Sequence, residues 1–267
     1  MSDSARGQLV SSAAEVYEEF FLPAIFQEWT TRLADAAQIA KGHRVLDVAC
    51  GTGALARTAR EQIGPEGAVV GVDINEGMLT VANKKAPEIE WRRAPAEKLP
   101  FDDNVFDAVV SQFGLMFFDN QRAALMEMAR VLRSGRYLAV AVWDSLANTP
   151  GYAAMTALLT RLFGAKIAAA LEAPFALGDK KTLHSLFTDA GMPGAVITTQ
   201  EGTARFPSIQ AWVHTDIKGW TLADMIDDAQ HQLLLSEAEQ TLKPFVTAGG
   251  TVSFKSPAHI VTWRKPK

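Results

Sequence analysis

The stretch from Val45 to Ala56, which reads Val-Leu-Asp-Val-Ala-Cys-Gly-Thr-Gly-Ala-Leu-Ala, limits the fold of this chain more than any other segment. An apolar run passes into two closely spaced glycines and then into residues that favour helix, which predicts a buried strand, a tight turn and a helix. Glycines let a ligand approach the backbone, and the helix N-terminus offers unpaired N–H groups. In a doubly wound sheet such a turn lies at the switch point of strand order, where ligands bind.

The alternation of strands and helices continues along the chain. Strands are predicted at 44–49, 68–72, 88–93, 106–113 and 137–143. Helices are predicted at 54–62, at 75–85 with Asn75 as the N-cap, and at 121–132 with Ser134-Gly135 as the stop. Because each strand is almost continuously apolar, we expect a parallel sheet covered on both faces. The predicted fold class is α/β: a doubly wound, mostly parallel seven-stranded sheet with helical lid insertions.

The two ends of the chain have a different pattern. Residues 13–40 are predicted as helix, with Pro23 either starting a new helix or kinking the first. Beyond Pro150, helices are predicted at 151–171, at 181–190 and across 206–245 with breaks at Gly219 and Pro244, and strands at 196–204 and at 251–263 with an interruption at Ser256-Pro257. We therefore expect an N-terminal helical cap at 1–40, an α/β core at 41–150, and the rest of the sheet with its lid insertions at 151–267, all in one continuous domain.

Composition narrows the classes of function. The 267 residues carry a net charge of −4 and show no basic stripe, which argues against nucleic acid as a partner. The single cysteine, Cys50, excludes an internal disulfide and a cysteine-based metal site, and the histidines lack metal-ligand spacing, so no metal is expected. The polar start of the chain and the lack of a long apolar run predict a cytoplasmic protein with no membrane partner. The oligomeric state is left open.

Two acidic residues near the glycine turn bear on the cofactor. Asp73 follows Gly53 by about 20 residues, at the end of the second strand, where a carboxylate can hold a ribose diol. The pattern Gly51-x-Gly53-x-x-Ala56 also satisfies the dinucleotide fingerprint. Asp73 therefore supports an adenosine cofactor but does not distinguish S-adenosylmethionine from a dinucleotide. Asp47 either caps the turn or faces the ligand, where it would repel a pyrophosphate and attract the ammonium and sulfonium of S-adenosylmethionine. An NAD(P)-dependent oxidoreductase stays as an alternative, although no Tyr-x-x-x-Lys motif follows the fourth strand.

The stretch 45–56 resembles motif I of the class I S-adenosylmethionine-dependent methyltransferases, especially the branch that includes the ubiquinone and menaquinone C-methyltransferases. The chain resembles that family again at 70–74, 96–101, 104–107, 111–116 and 130–136. The match covers residues 40–145 and keeps the order of the motifs. The resemblance implies S-adenosyl-L-methionine as the cofactor and methyl transfer to a small-molecule acceptor.

The resemblance also implies a set of cofactor-binding residues. They are Tyr17, Asp47, Ala49, Gly51, Gly53, Asp73, Ile74, Met78, Ala96, Glu97, Gln112 and Phe113. In this set, Asp47 would lie near the methionine ammonium and Asp73 at the ribose hydroxyls. Ile74 and Met78 would sandwich the adenine, which would also meet the backbone N–H of Ala96.

Four members of the set need comment. Gln112 and Phe113 would border the sulfonium and the entering acceptor. Tyr17 would close over the methionine end, or it is an ordinary core tyrosine. The family usually has an acidic residue just before its Ala-Glu pair, but Pro95 stands there and has no side-chain acceptor. Glu97, a backbone carbonyl or a water molecule would have to replace that contact to the adenine amine.

The acceptor and the catalytic residue are harder to predict. His214 in the predicted lid is the best candidate for a general base, and a histidine without a chemical role is the other interpretation, so we assign no catalytic residue. Apolar lid residues either line a pocket for an apolar or aromatic acceptor or simply pack, and they are Met155, Leu158, Leu159, Phe163, Phe175, Trp212, Trp220, Met225 and Ile226. A protein that binds the cofactor without catalysis is a third alternative.

Overall fold

The computed structural model of the chain describes residues 11–218, 222 and 225–267. The strands, in chain order, are β1 (Arg44–Val48), β2 (Ala68–Asp73), β3 (Glu90–Arg93), β4 (Phe106–Gln112), β5 (Leu132–Trp143), β6 (Val196–Gln200), β7 (Thr203–Phe206), β8 (Val252–Lys255) and β9 (Ala258–Arg264). In the part of the chain described, a seven-stranded sheet has the order β3-β2-β1-β4-β5-β9-β6. In that sheet β9 pairs antiparallel with both β5 and β6, and the other neighbouring strands pair parallel. The predicted doubly wound, mostly parallel α/β sheet is confirmed.

Helices cover both faces of this sheet. They are α1 (Ser11–Val16), a π-helical segment (Tyr17–Phe26), α2 (Gln27–Ala36), α3 (Ala54–Ile63), α4 (Glu76–Lys85), α5 (Gln121–Val131), α6 (Pro150–Phe163), α7 (Ala165–Glu172), α8 (Lys180–Asp189), α9 (Ile209–Lys218) and α10 (Asp228–Thr241). No helix within the described ranges is long and apolar enough to cross a membrane. The predicted N-cap of α4 is confirmed, since the Asn75 side chain accepts a hydrogen bond from the N–H of Met78 at 3.0 Å.

The continuous apolar character of the strands has a simple structural cause. Successive residues of a strand point to opposite faces, and here both faces are buried. In β4, Ala108 and Val110 join one hydrophobic cluster, whereas Val109 joins the cluster on the other face. This double burial fixes β1 and β4 at the centre of the sheet, so the turns after their carboxyl ends lie side by side.

The predicted stop of α5 at Ser134-Gly135 is wrong. The helix ends at Val131 and β5 begins at once with Leu132. The ammonium of Lys265, from the far end of the chain, donates to the carbonyls of Ala129 and Leu132, both at 2.7 Å. A cation at a helix C-terminus can satisfy terminal carbonyls that a glycine cap would otherwise satisfy. The stop therefore comes from a tertiary contact.

The strand predicted at 196–204 is two strands in different sheets. β6 lies at the edge of the main sheet, whereas β7 pairs with β8 in a separate two-stranded sheet. Between them the N–H of Thr203 donates to Glu28 Oε1 of α2 at 2.7 Å, and the carbonyl of Gly202 accepts from Ser256 at 2.9 Å. The predicted interruption at Ser256-Pro257 is confirmed and separates β8 from β9.

The remaining differences concern helices outside the central sheet. Pro23 lies inside the π-helical segment and neither starts nor ends a helix. The helix predicted at 151–171 divides at Gly164 into α6 and α7. We call α6, α7, α9 and α10, together with the β7–β8 sheet, the lid; the sequence predicted its helices but not its sheet. Gly219 and Trp220 lie outside the described residues.

Candidate functional site

Two cavities meet at the turn that follows β1. The outer cavity, about 260 Å³, is lined by Ala49, Asp73, Ile74, Arg93, Ala94, Ala96, Glu97, Phe117, Phe118 and Asp119. The inner cavity, about 30 Å³, is lined by Tyr17, Asp47, Ala49, Cys50, Gly51, Thr52, Ala54, Leu55 and Gln112. Ala49 lines both, so the two cavities adjoin at the carboxyl edge of the sheet, where a doubly wound fold binds its ligands.

The turn between β1 and α3 is held in an unusual backbone conformation. Gly51 and Gly53 have φ angles of 55° and 83°, and Ala49 has a φ of 56° although it is not glycine. A Cβ added at Gly53 would overlap the Trp91 ring, whereas a Cβ at Gly51 would meet no atom of the described residues within 4 Å. The first glycine thus leaves open space for a ligand, and the second allows α3 to approach β3. A strained non-glycine residue such as Ala49 is typical of a binding site.

Asp73 connects the turns after β1 and β2. Its carboxylate accepts the N–H of Gly51 through Oδ2 and the N–H of Asn75 through Oδ1, both at 2.8 Å. Burial raises the pKa of Asp73, and these backbone N–H groups act in the opposite direction. Each carboxylate oxygen has lone pairs beyond one hydrogen bond, so Asp73 can still accept from hydroxyl groups in the outer cavity.

Asp47 is the most unusual group at the site. Its side chain is 1% exposed, and neither carboxylate oxygen makes a hydrogen bond of ordinary geometry among the described residues. Burial raises its pKa to about 8, the backbone N–H of Ala56 acts in the opposite direction, and the nearby charge of Asp73 raises it further. A buried carboxyl without a partner is costly, so its retention in the inner cavity indicates a cationic ligand.

Two further side chains present oxygens to the inner cavity. Thr52 Oγ1 and Gln112 Oε1 are buried and have no hydrogen-bond partner in the described part of the chain. Gln112 is held in place by its amide, which donates to the carbonyl of Phe26 at 3.4 Å. Acceptors from three different segments therefore converge in a small space. The methionine end of S-adenosylmethionine, which carries an ammonium, fits this set of acceptors.

Tyr17 lines the inner cavity from the N-terminal side. The next residue, Glu18, forms an ion pair with Arg57 at 2.8 Å, and Arg57 also donates to the carbonyl of Thr52 at 2.6 Å. The π-helical segment is thereby fixed to the glycine turn and its helix. The structure brings Tyr17 to the predicted place, and its role in closing over a cofactor stays a prediction.

The outer cavity contains the residues predicted for the adenine, with one exception. Ile74, Ala96 and Glu97 line it, and Glu97 Oε1 also accepts the N–H of Asn120 at 3.1 Å. Met78 is instead packed with Ala14 and Val81 in a small cluster beside Tyr17. The sandwich of adenine between Ile74 and Met78 stays a prediction.

Five residues of the outer cavity were not predicted from the sequence. They are Arg93, Ala94, Phe117, Phe118 and Asp119. Phe117, Phe118 and Asp119 lie in the connection between β4 and α5, at the same edge of the sheet as the glycine turn. A carboxylate there could have been suspected because the carboxyl ends of parallel strands share an edge.

Phe113 belongs to an aromatic cluster at the carboxyl ends of β4 and β5. Its φ is 55°, and its ring stacks on Trp143 with centroids 3.8 Å apart. Trp29 meets it edge-on at 5.8 Å, and Phe26 lies at 5.5 Å. The cluster excludes water from the region next to Gln112, where the sequence predicts the sulfonium.

A third cavity, the aromatic cavity, lies on the other side of this cluster. It measures about 30 Å³ and is lined by Phe21, Ile25, Phe26, Trp143, Tyr152, Leu171, Pro174, Phe175 and Asp216. Phe175, from the apolar lid residues of the sequence analysis, faces it. Others of that group, including Met155 and Trp212, are buried in the main hydrophobic cluster. Most of the lid residues therefore pack, and a minority line a pocket.

The histidine predicted as a base is exposed. His214 lies on α9, and its ring is 6.4 Å from that of His231. The acidic lining of the aromatic cavity comes from Asp216 on the same helix. His259 is fully buried and hydrogen-bonded to Thr199 and to the carbonyl of Gly178, both at 3.0 Å. A catalytic role for His214 stays untested.

Replacing Asp73 by Ala is expected to weaken S-adenosylmethionine binding by about 1.5–3 kcal/mol, the usual cost of losing a charged hydrogen-bond partner. The substitution also removes the acceptor for the N–H of Gly51. Calorimetric titration measures the affinity, and Asp102→Ala on an exposed loop serves as the matched control. An intact Asp73→Ala protein with unchanged affinity would place the ribose elsewhere.

Comparison with known proteins leads to the same class of protein as the geometry of the site does. Residues 46–140 match the family described as the methyltransferase domain. The demethylmenaquinone methyltransferase of Staphylococcus carnosus is 33% identical over 188 residues, which are 65% of this chain and 78% of that protein. The ubiquinone/menaquinone biosynthesis C-methyltransferase UbiE of Stenotrophomonas maltophilia is 38% identical over 138 residues, or 48% of this chain. Those residues are 54% of the UbiE protein, so the match spans about half the length of that relative.

One solved structure extends the likeness to nearly the whole chain. It is phosphoethanolamine N-methyltransferase 2 of Haemonchus contortus, in complex with phosphomonomethylethanolamine and S-adenosylhomocysteine. The TM-score is 0.63 at 15% identity, over 96% of this chain and 58% of that chain. At this identity the likeness shows the fold alone.

Proposed function

We propose, from the premise that this chain belongs to the class I S-adenosylmethionine-dependent methyltransferases, that it transfers a methyl group to a small-molecule acceptor. The observation that carries the proposal is the buried carboxyl of Asp47, whose oxygens have no partner among the described residues. The ammonium of the cofactor would supply that partner. A dinucleotide pyrophosphate at the same place would meet a negative charge, which disfavours the oxidoreductase alternative.

The proposed cofactor-binding residues lie mainly on three segments of the chain that end at the carboxyl edge of the sheet. Asp73 would accept from the ribose hydroxyls, and Ile74, Ala96 and Glu97 would surround the adenine. Asp47 would hold the ammonium, with Thr52 and Gln112 as further acceptors in the inner cavity. Ala49, Gly51 and Gly53 would shape the backbone that carries these contacts, and Tyr17, Met78 and Phe113 would complete the set.

Methyl transfer requires the protein mainly to align the acceptor with the methyl group of the cofactor and to exclude water. When bound, S-adenosylmethionine supplies an electrophilic methyl group on a positively charged sulfur. Tyr17 and the aromatic cluster around Phe113 and Trp143 would keep water from that region. The acceptor would approach from the aromatic cavity, whose lining is almost entirely apolar. The net charge of −4 supports a small molecule over nucleic acid as the partner.

Parallel calorimetric titrations with S-adenosylmethionine, S-adenosylhomocysteine and NAD test this proposal. We expect binding of the first two and none of NAD. Binding of NAD alone would overturn the proposal in favour of an oxidoreductase. A cofactor-binding protein without catalysis is distinguished by turnover, measured as transfer of isotopically labelled methyl from the cofactor into a pool of small metabolites.

A further inference from the structure

The aromatic cavity has one carboxyl in an otherwise apolar wall. Asp216 of α9 is 2% exposed, and its Oδ1 accepts a hydrogen bond from the Tyr152 hydroxyl of α6 at 3.4 Å. Its Oδ2 is buried and makes no hydrogen bond of ordinary geometry in the described ranges, and the indole N–H of Trp212, which likewise makes none, lies near the carboxyl. No lysine, arginine or histidine lies among the described residues that line the cavity. Burial raises the pKa of Asp216 to about 8, as expected for a carboxyl without a cationic partner.

Aromatic rings supply most of the remaining wall. Phe26 and Trp143 lie 5.7 Å apart, and Tyr152 lies 5.6 Å from Phe175. The faces of such rings are negative and attract cations, and a carboxylate adds to that attraction. A neutral apolar ligand would leave Asp216 Oδ2 without a partner. A neutral hydroxyl could donate to Oδ2 but would gain nothing from the ring faces. A protonated amine with apolar substituents satisfies both features.

The aromatic cavity lies next to the proposed methyl donor. Phe26 lines it, and the Phe26 ring is 5.1 Å from that of Tyr17, which lines the inner cavity. Trp143, also in the lining, stacks on Phe113 at 3.8 Å. The aromatic cluster therefore borders both the place predicted for the sulfonium and the cavity that contains Asp216.

We infer that the acceptor is an amine, held in the aromatic cavity as an ammonium whose N–H donates to Asp216 Oδ2 and whose carbon substituents pack on the surrounding rings. This inference rests on the proposed methyltransferase function and names its substrate class. Nitrogen needs a free electron pair to accept a methyl group. One N–H proton passes to Asp216 Oδ2, a C–N bond forms as the C–S bond of the cofactor breaks, and the carboxyl releases its proton when product leaves.

The test compares three probes of one shape but different polarity. They are trimethylamine, its uncharged isostere isobutane, and isopropanol, each with four non-hydrogen atoms in the same branched arrangement. Each is titrated into the protein saturated with S-adenosylhomocysteine, near pH 8, close to the pKa of Asp216. We expect the amine to bind at least about tenfold more tightly than either neutral probe, the effect of one charge-assisted hydrogen bond. Equal binding of the three, or preference for the alcohol, would overturn the inference.

Substitution of Asp216 tests whether its carboxyl causes the preference for the amine. Asp216→Asn, of nearly the same shape, is expected to lower amine affinity about tenfold and to leave isobutane and S-adenosylhomocysteine binding unchanged. Asp189→Asn, on the exposed face of α8, is the matched control. If Asp216→Asn does not fold, the comparison of the three probes on the unaltered protein still decides. Failure of S-adenosylhomocysteine to bind would refute the proposed function, whereas its binding without amine preference would refute this inference alone.

Discussion

Replacing Asp47 by Asn is expected to stabilise the free protein and to weaken S-adenosylmethionine binding by about 2–5 kcal/mol, the cost of removing one partner of a buried charge pair. Without ligand, the carboxyl is buried with no hydrogen-bond partner in the described part of the chain. An amide of the same shape does not carry the cost of a buried charge. The two effects have opposite signs because the same carboxyl is unfavourable in the empty cavity and favourable beside an ammonium.

The pH dependence of Asp47 gives the same prediction an independent check. Since burial raises its pKa from 3.8 to about 8, the native state retains the proton over a pH range in which the unfolded chain has released it. This group therefore lowers the free energy of unfolding as pH rises from about 4 to about 8. Cofactor affinity should rise between about pH 6 and pH 8, because the ammonium favours the ionised carboxyl. In Asp47→Asn both trends should flatten.

Differential scanning calorimetry and isothermal titration across this pH range measure the two trends. Asp102→Asn, on an exposed loop, removes a carboxylate without touching either cavity and should change neither. A less stable Asp47→Asn protein with full cofactor affinity would show that Asp47 caps the turn, the other interpretation of its place in the sequence.

The centre of the sheet could be predicted from the sequence because its signals are local. The apolar runs of β1, β2 and β4 are continuous since both faces of each strand are buried, and the glycines that follow β1 mark the turn directly. The site residues concerned fall in two short stretches of the chain, one at that turn and one at the end of β2. Their placement at one edge follows from parallel strand order alone.

Other features depend on contacts between distant segments and had no local signal. The end of α5 is set by Lys265, more than 130 residues away in the chain. The division of β6 from β7 depends on contacts with Glu28, which precedes the lid in the sequence, and with Ser256, which follows it. Asp216 looks like an ordinary helical aspartate, and only the packing of α9 against α6 buries it beside Tyr152. The polar group in the aromatic cavity was therefore missed, whereas the exposed His214 was noticed.

Replacing Gly53 by Val is expected to destabilise the fold by about 2–5 kcal/mol, from two separate causes. The φ of 83° lies in the left-handed region, which costs a residue with a Cβ about 1–2 kcal/mol. The added side chain would also overlap the Trp91 ring, and overpacking of this kind costs about 1–3 kcal/mol. Urea denaturation measures the loss as a lower midpoint with an unchanged slope.

Gly250 offers a matched control that separates these causes. It also has a φ of 83°, but a Cβ there would meet no atom of the described residues within 4 Å. Gly250→Val should therefore show the backbone cost alone, and the excess in Gly53→Val should be the overlap with Trp91. Because the two residues are in contact, Trp91→Leu combined with Gly53→Val should recover part of that excess as a non-additive term. Equal losses for Gly53→Val and Gly250→Val would mean that the approach of α3 to β3 does not require glycine, and that Gly53 serves the backbone conformation of the turn only.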